Sequence, residues 1–175
     1  MAPFRSPAFS RDGSGPPLLL LHGLGTTHHD FDRVGPLLAD DFDVLALDLP
    51  GQGEASPVPG RPTVVALTDA VEAELDAQGI QRTHILGNSL GGRIAIELAS
   101  RGRARSVVAI APSGLSLPPE RMSQVSAMAA TAAAIRLARP VITPLARHRG
   151  GRVMLLAGLR ARPWLGTTGE AEAMG

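Results

Sequence analysis

Four short aliphatic runs, each stopped by glycine or proline, alternate with stretches whose apolar residues recur every three or four positions. No other feature limits the possible folds of this chain so strongly. The runs are Pro17–Leu21, closed by Gly23 and Gly25; Asp43–Leu47, closed by Pro50 and Gly51; Thr83–Leu86, closed by Gly87; and Ser106–Ala111, closed by Pro112. They are too short for buried helices and suit strands covered on both faces. Between them, Val64, Leu67, Val71 and Leu75, then Leu90, Ile94 and Leu98, mark amphipathic helices. Strands alternating with helices predict βαβ units with right-handed crossovers, hence an α/β fold: a mostly parallel sheet flanked by helices.

The character changes after Pro118. An Ala- and Arg-rich stretch runs from Glu120 to Arg139, followed by Pro140, Pro144 and the Gly150–Gly151 pair. This predicts two or three helices; Val153–Ala157 is ambiguous between helix and strand. Charge divides near the same place. Residues 1–100 carry 6 Arg against 13 acids, and residues 101–175 carry 11 Arg against 3, although the net charge is only +1. The expected organisation is a core over residues 1–117 and a basic, helical second part over 118–175.

Composition removes several chemistries. With no Cys there is no disulfide, thiolate nucleophile or Cys-ligated metal. All 17 cationic side chains are Arg, so there is no Schiff-base lysine and no P-loop lysine to reach nucleotide phosphates. The N-terminus has no apolar signal segment, and Leu18–Leu21 is far too short to span a bilayer, which predicts a cytoplasmic protein without a membrane span.

Chemistry concentrates where the third run ends. Gly87-Asn88-Ser89-Leu90-Gly91-Gly92 is G-x-S-x-G between a predicted strand and an amphipathic helix. A nucleophile held on a strained, sharp turn brings its neighbours two residues away into contact, so that only glycine fits at Gly87 and Gly91. Ser89 would then stand at the positive end of the helix, with the Leu90 amide aimed at a developing oxyanion. The alternative is a Gly-rich turn that only caps the helix with Ser.

Three further segments accompany the elbow, in order: Leu20-Leu21-His22-Gly23-Leu24-Gly25, Asp48-Leu49-Pro50-Gly51-Gln52-Gly53-Glu54-Ala55-Ser56, and Ala109-Ile110-Ala111-Pro112-Ser113-Gly114. With Gly87–Gly92 they resemble the α/β-hydrolase family in its serine-nucleophile branch. The resemblance implies Ser89 as nucleophile, Leu90 and Leu24 as backbone oxyanion donors, and His22 and Gly23 as the oxyanion loop. It also implies that the segment from Pro118 begins a helical cap. The family's acid and histidine follow the nucleophile. Here no Asp follows Ser89, the later acids are Glu97, Glu120, Glu170 and Glu172, and the only later histidine is His148. The chain therefore resembles the N-terminal part of a hydrolase without its C-terminal triad residues.

The remaining polar residues read more plainly. His28, His29, Asp30 and Asp32 fit a helix entry, with Asp30 as N-cap and Phe31, Val34 and Leu37 as its apolar stripe, better than a metal site, for which no H-E-x-x-H frame exists. His22 is expected to orient the oxyanion turn, and His84 to be a satisfied core histidine. Gly23-Leu24-Gly25 lacks the third glycine of a dinucleotide loop, so no cofactor is implied. With no Tyr and the single Trp164, the Arg-rich third is read as a solvated basic surface rather than a nucleic-acid site.

Two functions compete. One is hydrolysis of an ester, thioester or related acyl bond of a small molecule, weak or absent in this chain alone. The other is a non-catalytic remnant or interaction module. Without further strands, Ser106–Ala111 would be an uncovered apolar edge inviting self-association.

Overall fold

In a computed structural model, the described residues are 9–115 and, beyond them, only 119, 122–123, 126–127, 129–130, 133–134, 137, 140 and 148. The chain divides into two compact units, Met1–Leu115 and Ser116–Gly175. The first contains a five-stranded sheet: β1 (Phe9–Asp12), β2 (Pro17–Leu21), β3 (Asp43–Leu47), β4 (Thr83–Asn88) and β5 (Ala104–Ile110), in spatial order β1-β3-β2-β4-β5. All pairs are parallel except β1 with β3. In the second unit, the described positions from 119 to 140 are helical and exposed, and the Ser126 hydroxyl donates to the Met122 carbonyl at 2.8 Å. The ambiguous run Val153–Ala157 lies outside the described residues, as does most of the segment read as a cap.

Two of the four apolar runs, those of β2 and β3, owe their lack of alternation to burial on both faces. In β2, Leu19 and Leu21 face one cluster with Leu45, Leu47, Leu67, Val71, Leu75, Ile94 and Leu98, while Leu18 and Leu20 face another with Phe31, Val44 and Ala46. The first cluster is closed by α2 (Val64–Ala77) and α3 (Leu90–Ser100), which bury all the spaced residues read from the sequence except the half-buried Val64 and Leu90 at their starts. Thr63 starts α2 as its N-cap, its hydroxyl accepting from the Ala66 amide at 3.2 Å. The second cluster is closed by a 3-10 turn, His28–Phe31, and the single turn α1 (Gly35–Leu38).

Four sequence expectations need correction. β1 was not foreseen: all four of its residues are exposed, and pairing with β3 holds it, helped by Arg11, which donates to Asp43 at 2.6 and 2.9 Å and to Gln78 at 2.9 Å. The expected helix from Asp30 is instead the 3-10 turn followed by α1, capped by Thr27, whose hydroxyl accepts from the His29 amide. Phe31 is buried, but Leu37 is 71% exposed and Leu38 does the packing, because the break at Asp32–Val34 shifts the buried face by one residue. His84 is only half-buried. It pairs with the Ser106 hydroxyl at 2.8 Å and meets Phe42 edge-on, since no described element covers that part of the sheet. Lastly, the fourth strand occupies Ala104–Ile110 rather than Ser106–Ala111, with a register shift where β4 starts pairing with it.

Strand order positions the site. From β2 the chain passes over one face to β3, then over the other through α2 to β4, on the far side of β2. The loops leaving β2 and β4 therefore diverge, opening a crevice at their carboxyl ends, where open α/β sheets bind ligands. Among the described residues no helix is long and apolar enough to cross a membrane.

Candidate active site

Ser89 stands between the end of β4 and the first residue of α3, with φ 51° and ψ −108°. A non-glycine residue at such angles costs about 1–3 kcal/mol and persists only where its surroundings insist on it. They do. The Ser89 amide donates to the Ile110 carbonyl at 2.9 Å, and the Ser89 carbonyl accepts from the amides of Ser113 and Arg93, each at 3.0 Å. The end of β5 thus grips the turn from one side. From the other, the Gly91 amide donates to the His22 carbonyl at 3.1 Å.

The glycines of the elbow have two distinct reasons. A Cβ on Gly87 would overlap the backbone of Gly91 and Gly92, so β4 and α3 could not fold back so tightly. A Cβ on Gly91 would overlap the carbonyls of Leu21 and His22, so α3 could not approach the end of β2. Gly91 thus meets the end of β2 rather than its own turn. Gly23 differs: a Cβ there would make ordinary contacts of 3.6 Å with the Ser89 Cβ and the Asn88 side chain. That spacing brings the loop after β2 beside Ser89.

The same loop is fastened by His22, which is fully buried. Its Nδ1 lies 2.7 Å from the Gly23 carbonyl, which can only accept, and its Nε2 lies 2.9 Å from the Leu49 amide, which can only donate. The two partners fix the tautomer with the proton on Nδ1. Burial lowers the His22 pKa from its ordinary 6.5, outweighing the Gly23 carbonyl and the Asp48 carboxylate, which favour the charged form. The 3.9 Å approach of Nε2 to Asp48 is therefore no ion pair. With both nitrogens spent on backbone, His22 cannot take a proton from Ser89.

Asp48, buried at the end of β3, organises the next loop. Its carboxylate accepts from the His28 amide at 2.8 Å, the His28 Nδ1 at 2.9 Å and the Glu54 amide at 3.1 Å. Burial alone would raise its pKa, but these bonds outweigh burial and hold the carboxyl below its ordinary 3.8. The sequence marked this loop only as a motif. The pairing of Asp48 with His28 joins residues 20 apart and had no local signal.

His29 pairs with Asp32 at 3.0 Å, and among the described residues no group of three His, Cys, Asp or Glu could hold a metal ion. An open polar cavity of about 460 Å³, lined by Thr27, His28, His29, Asp48, Gly53 and Glu54 with Phe9, does not include Ser89 in its walls. His148 is exposed.

Comparison with known proteins adds the following. The family model described as "alpha/beta hydrolase fold" matches residues 16–142. The epoxide hydrolase EphH of Mycobacterium tuberculosis is 60% identical over 48 residues, covering 27% of this chain and 22% of that protein. The pimeloyl-(acyl-carrier protein) methyl ester esterase of Neisseria meningitidis is 43% identical over 83 residues, 47% of this chain and 30% of that one. The crystal structure of a hydrolase from Pseudomonas aeruginosa matches with a TM-score of 0.64 and 26% identity, covering 95% of this chain and 65% of the other. The chain spans less than a third of the length of the curated relatives it matches.

Proposed function

The chain belongs to the α/β-hydrolase fold family, and from that membership we propose that Ser89 is the nucleophile of a hydrolase acting on an ester, thioester or related acyl bond of a small molecule. One observation carries the proposal. Ser89 is held in a strained backbone conformation at the carboxyl end of β4, with the Gly23 loop in contact range and α3 starting behind it. In the reaction, Ser89 Oγ attacks the acyl carbon, and the carbonyl π bond opens to an oxyanion. The amides of Leu24 and Leu90 donate to that oxygen, and the positive end of α3 adds to them. The Ser89 proton passes to solvent water, collapse expels the leaving group, which takes up a proton from water to become the alcohol or thiol, and a second water then attacks the acyl carbon, releasing the acid and restoring the Ser89 hydroxyl.

The relatives' names include an epoxide hydrolase and a methyl ester esterase. Of these bond types the ester suits a serine, and Ser at position 89 argues against the branches that use an Asp nucleophile. Residues 1–117 are assigned to the hydrolase core and 118–175 to a basic helical cap, favouring apolar or anionic over cationic substrates. No cofactor enters the scheme.

The Ser89 proton limits the reaction. A serine hydroxyl is almost wholly protonated near neutral pH and needs a base to become a good nucleophile. His22 is committed to backbone, no Asp follows Ser89, and the only later histidine is His148. The second reading is a fold retained for interaction rather than catalysis. Enzymes lacking triad members keep about 10³–10⁴-fold acceleration over water. The test is hydrolysis of short-chain p-nitrophenyl esters by the chain and by Ser89→Ala. The expected result is slow turnover, well under about 1 s⁻¹, abolished by the substitution. Equal rates for both proteins would leave the non-catalytic reading.

A further inference from the structure

We propose that Gln52 is a positioning residue for oxyanion stabilisation, holding the loop after β2 so that the Leu24 amide faces Ser89; this rests on the reading of Ser89 as nucleophile. The geometry of two consecutive peptide groups carries the inference. The Leu24 N–H shares a rigid trans peptide plane with the Gly23 carbonyl and points opposite to it. That carbonyl is pinned twice, by His22 Nδ1 at 2.7 Å and by the Thr26 hydroxyl at 3.2 Å. The first plane is thus aimed from behind.

The next plane, carrying the Leu24 carbonyl and the Gly25 N–H, has no such support from packing. The Leu24 side chain is 58% exposed, and a Cβ on Gly25 would meet nothing within 4 Å. Gly25 moreover has φ +79°, which glycine adopts at no cost and leaves as readily. Among the described residues, the one hydrogen bond on this plane comes from another loop: the Gly25 amide donates to Gln52 Oε1 at 2.5 Å. An N–H can only donate, so the facing atom of the Gln52 amide is its oxygen. With both flanking planes fixed, the torsions of Leu24 are fixed, and with them the direction of its N–H.

Gln52 can do this because its own loop is closed on itself. Its amide donates to the Leu49 carbonyl at 3.0 Å, its carbonyl accepts from the Ala55 amide at 3.0 Å, and the Gly51 amide donates to the Ala55 carbonyl at 3.1 Å. The Asp48 carboxylate ties the Glu54 amide to the same turn, and the Leu49 amide returns to His22 Nε2. The loops after β2 and β3 therefore form one hydrogen-bonded frame with Gln52 as its outer strut.

The test compares wild type with Gln52→Leu, which keeps bulk without an acceptor, and Gln52→Glu, which keeps the acceptor. Two quantities are read: amide hydrogen exchange at Gly25 by NMR, and the rate at which a fluorophosphonate modifies Ser89, followed by intact mass. In Gln52→Leu the expected results are about tenfold faster exchange at Gly25 and about tenfold slower modification, at an unchanged denaturation midpoint, with Gln52→Glu restoring both. Unchanged Gly25 exchange in Gln52→Leu would overturn the inference. So would faster exchange with modification unaffected. If wild-type Ser89 is never modified, the nucleophile reading itself fails and takes this inference with it, an outcome distinct from modification that is indifferent to Gln52.

Discussion

At Ser89 a single residue carries both the chemistry and a conformational cost. Its φ of 51° is imposed by hydrogen bonds from three directions, to Ile110, Ser113 and Arg93. Glycine at that position would relieve the strain, while alanine would keep it and lose only the hydroxyl. Ser89→Gly is therefore expected to unfold at higher denaturant than Ser89→Ala, by about 1 kcal/mol after allowing for the greater freedom of glycine in the unfolded chain. Equal midpoints for the two variants would show that the turn is not strained as the angles imply. The position was legible in the sequence because its demand is local: Gly87 and Gly91 exclude a Cβ for reasons of contact, and contact fixes spacing. Gln52 was not legible. Its bond to Gly25 crosses 27 residues, and nothing near it distinguishes it from a surface loop glutamine.

Among elements, the loops leaving β2 and β3 depend on the protonation of two buried groups. The folded state holds His22 neutral, so its pKa lies below the 6.5 it would have when unfolded. Between those values the unfolded chain binds more protons, and stability rises with pH. The His22 contribution is thus complete above pH 6.5 and is lost as pH falls through the folded value. Asp48 acts in the same direction at lower pH: its stabilisation is present above 3.8 and is lost as pH falls through its lower folded value. Urea midpoints measured from pH 8 downward should begin to fall near 6.5, and His22→Gln, which does not titrate, should lack that first decline. An identical profile in the variant would remove His22 from the account. The parallel strands were legible for the reason this frame exists: burial on both faces leaves an uninterrupted apolar run in β2 and β3. β1 was not, because its exposed residues are held by a ladder to β3 and by Arg11, partners far along the chain. The 3-10 turn and α1 were misread as one helix because apolar spacing cannot register the break at Asp32–Val34.

At the scale of the whole molecule, β5 is the edge of the sheet among the described residues, and its Val108 and Ile110 are 55% and 50% exposed. An apolar edge strand with unpaired amides is where another chain adds, and a charged residue there opposes addition. Light scattering should find the apparent mass rising with concentration for wild type and less so for Val108→Lys; a wild type that stays monomeric at every concentration would refute the expectation. The edge also bears on catalysis, since the carbonyl of Ile110 holds the Ser89 amide. Everything functional proposed for this chain nevertheless turns on one oxygen atom. Incubation with a fluorophosphonate, followed by peptide mapping of the adduct, tests it most directly. The expected result is slow, stoichiometric modification of Ser89 in preference to every other serine, absent from Ser89→Ala. Modification spread over surface serines, or undiminished in Ser89→Ala, would contradict the assignment of Ser89 as the nucleophile.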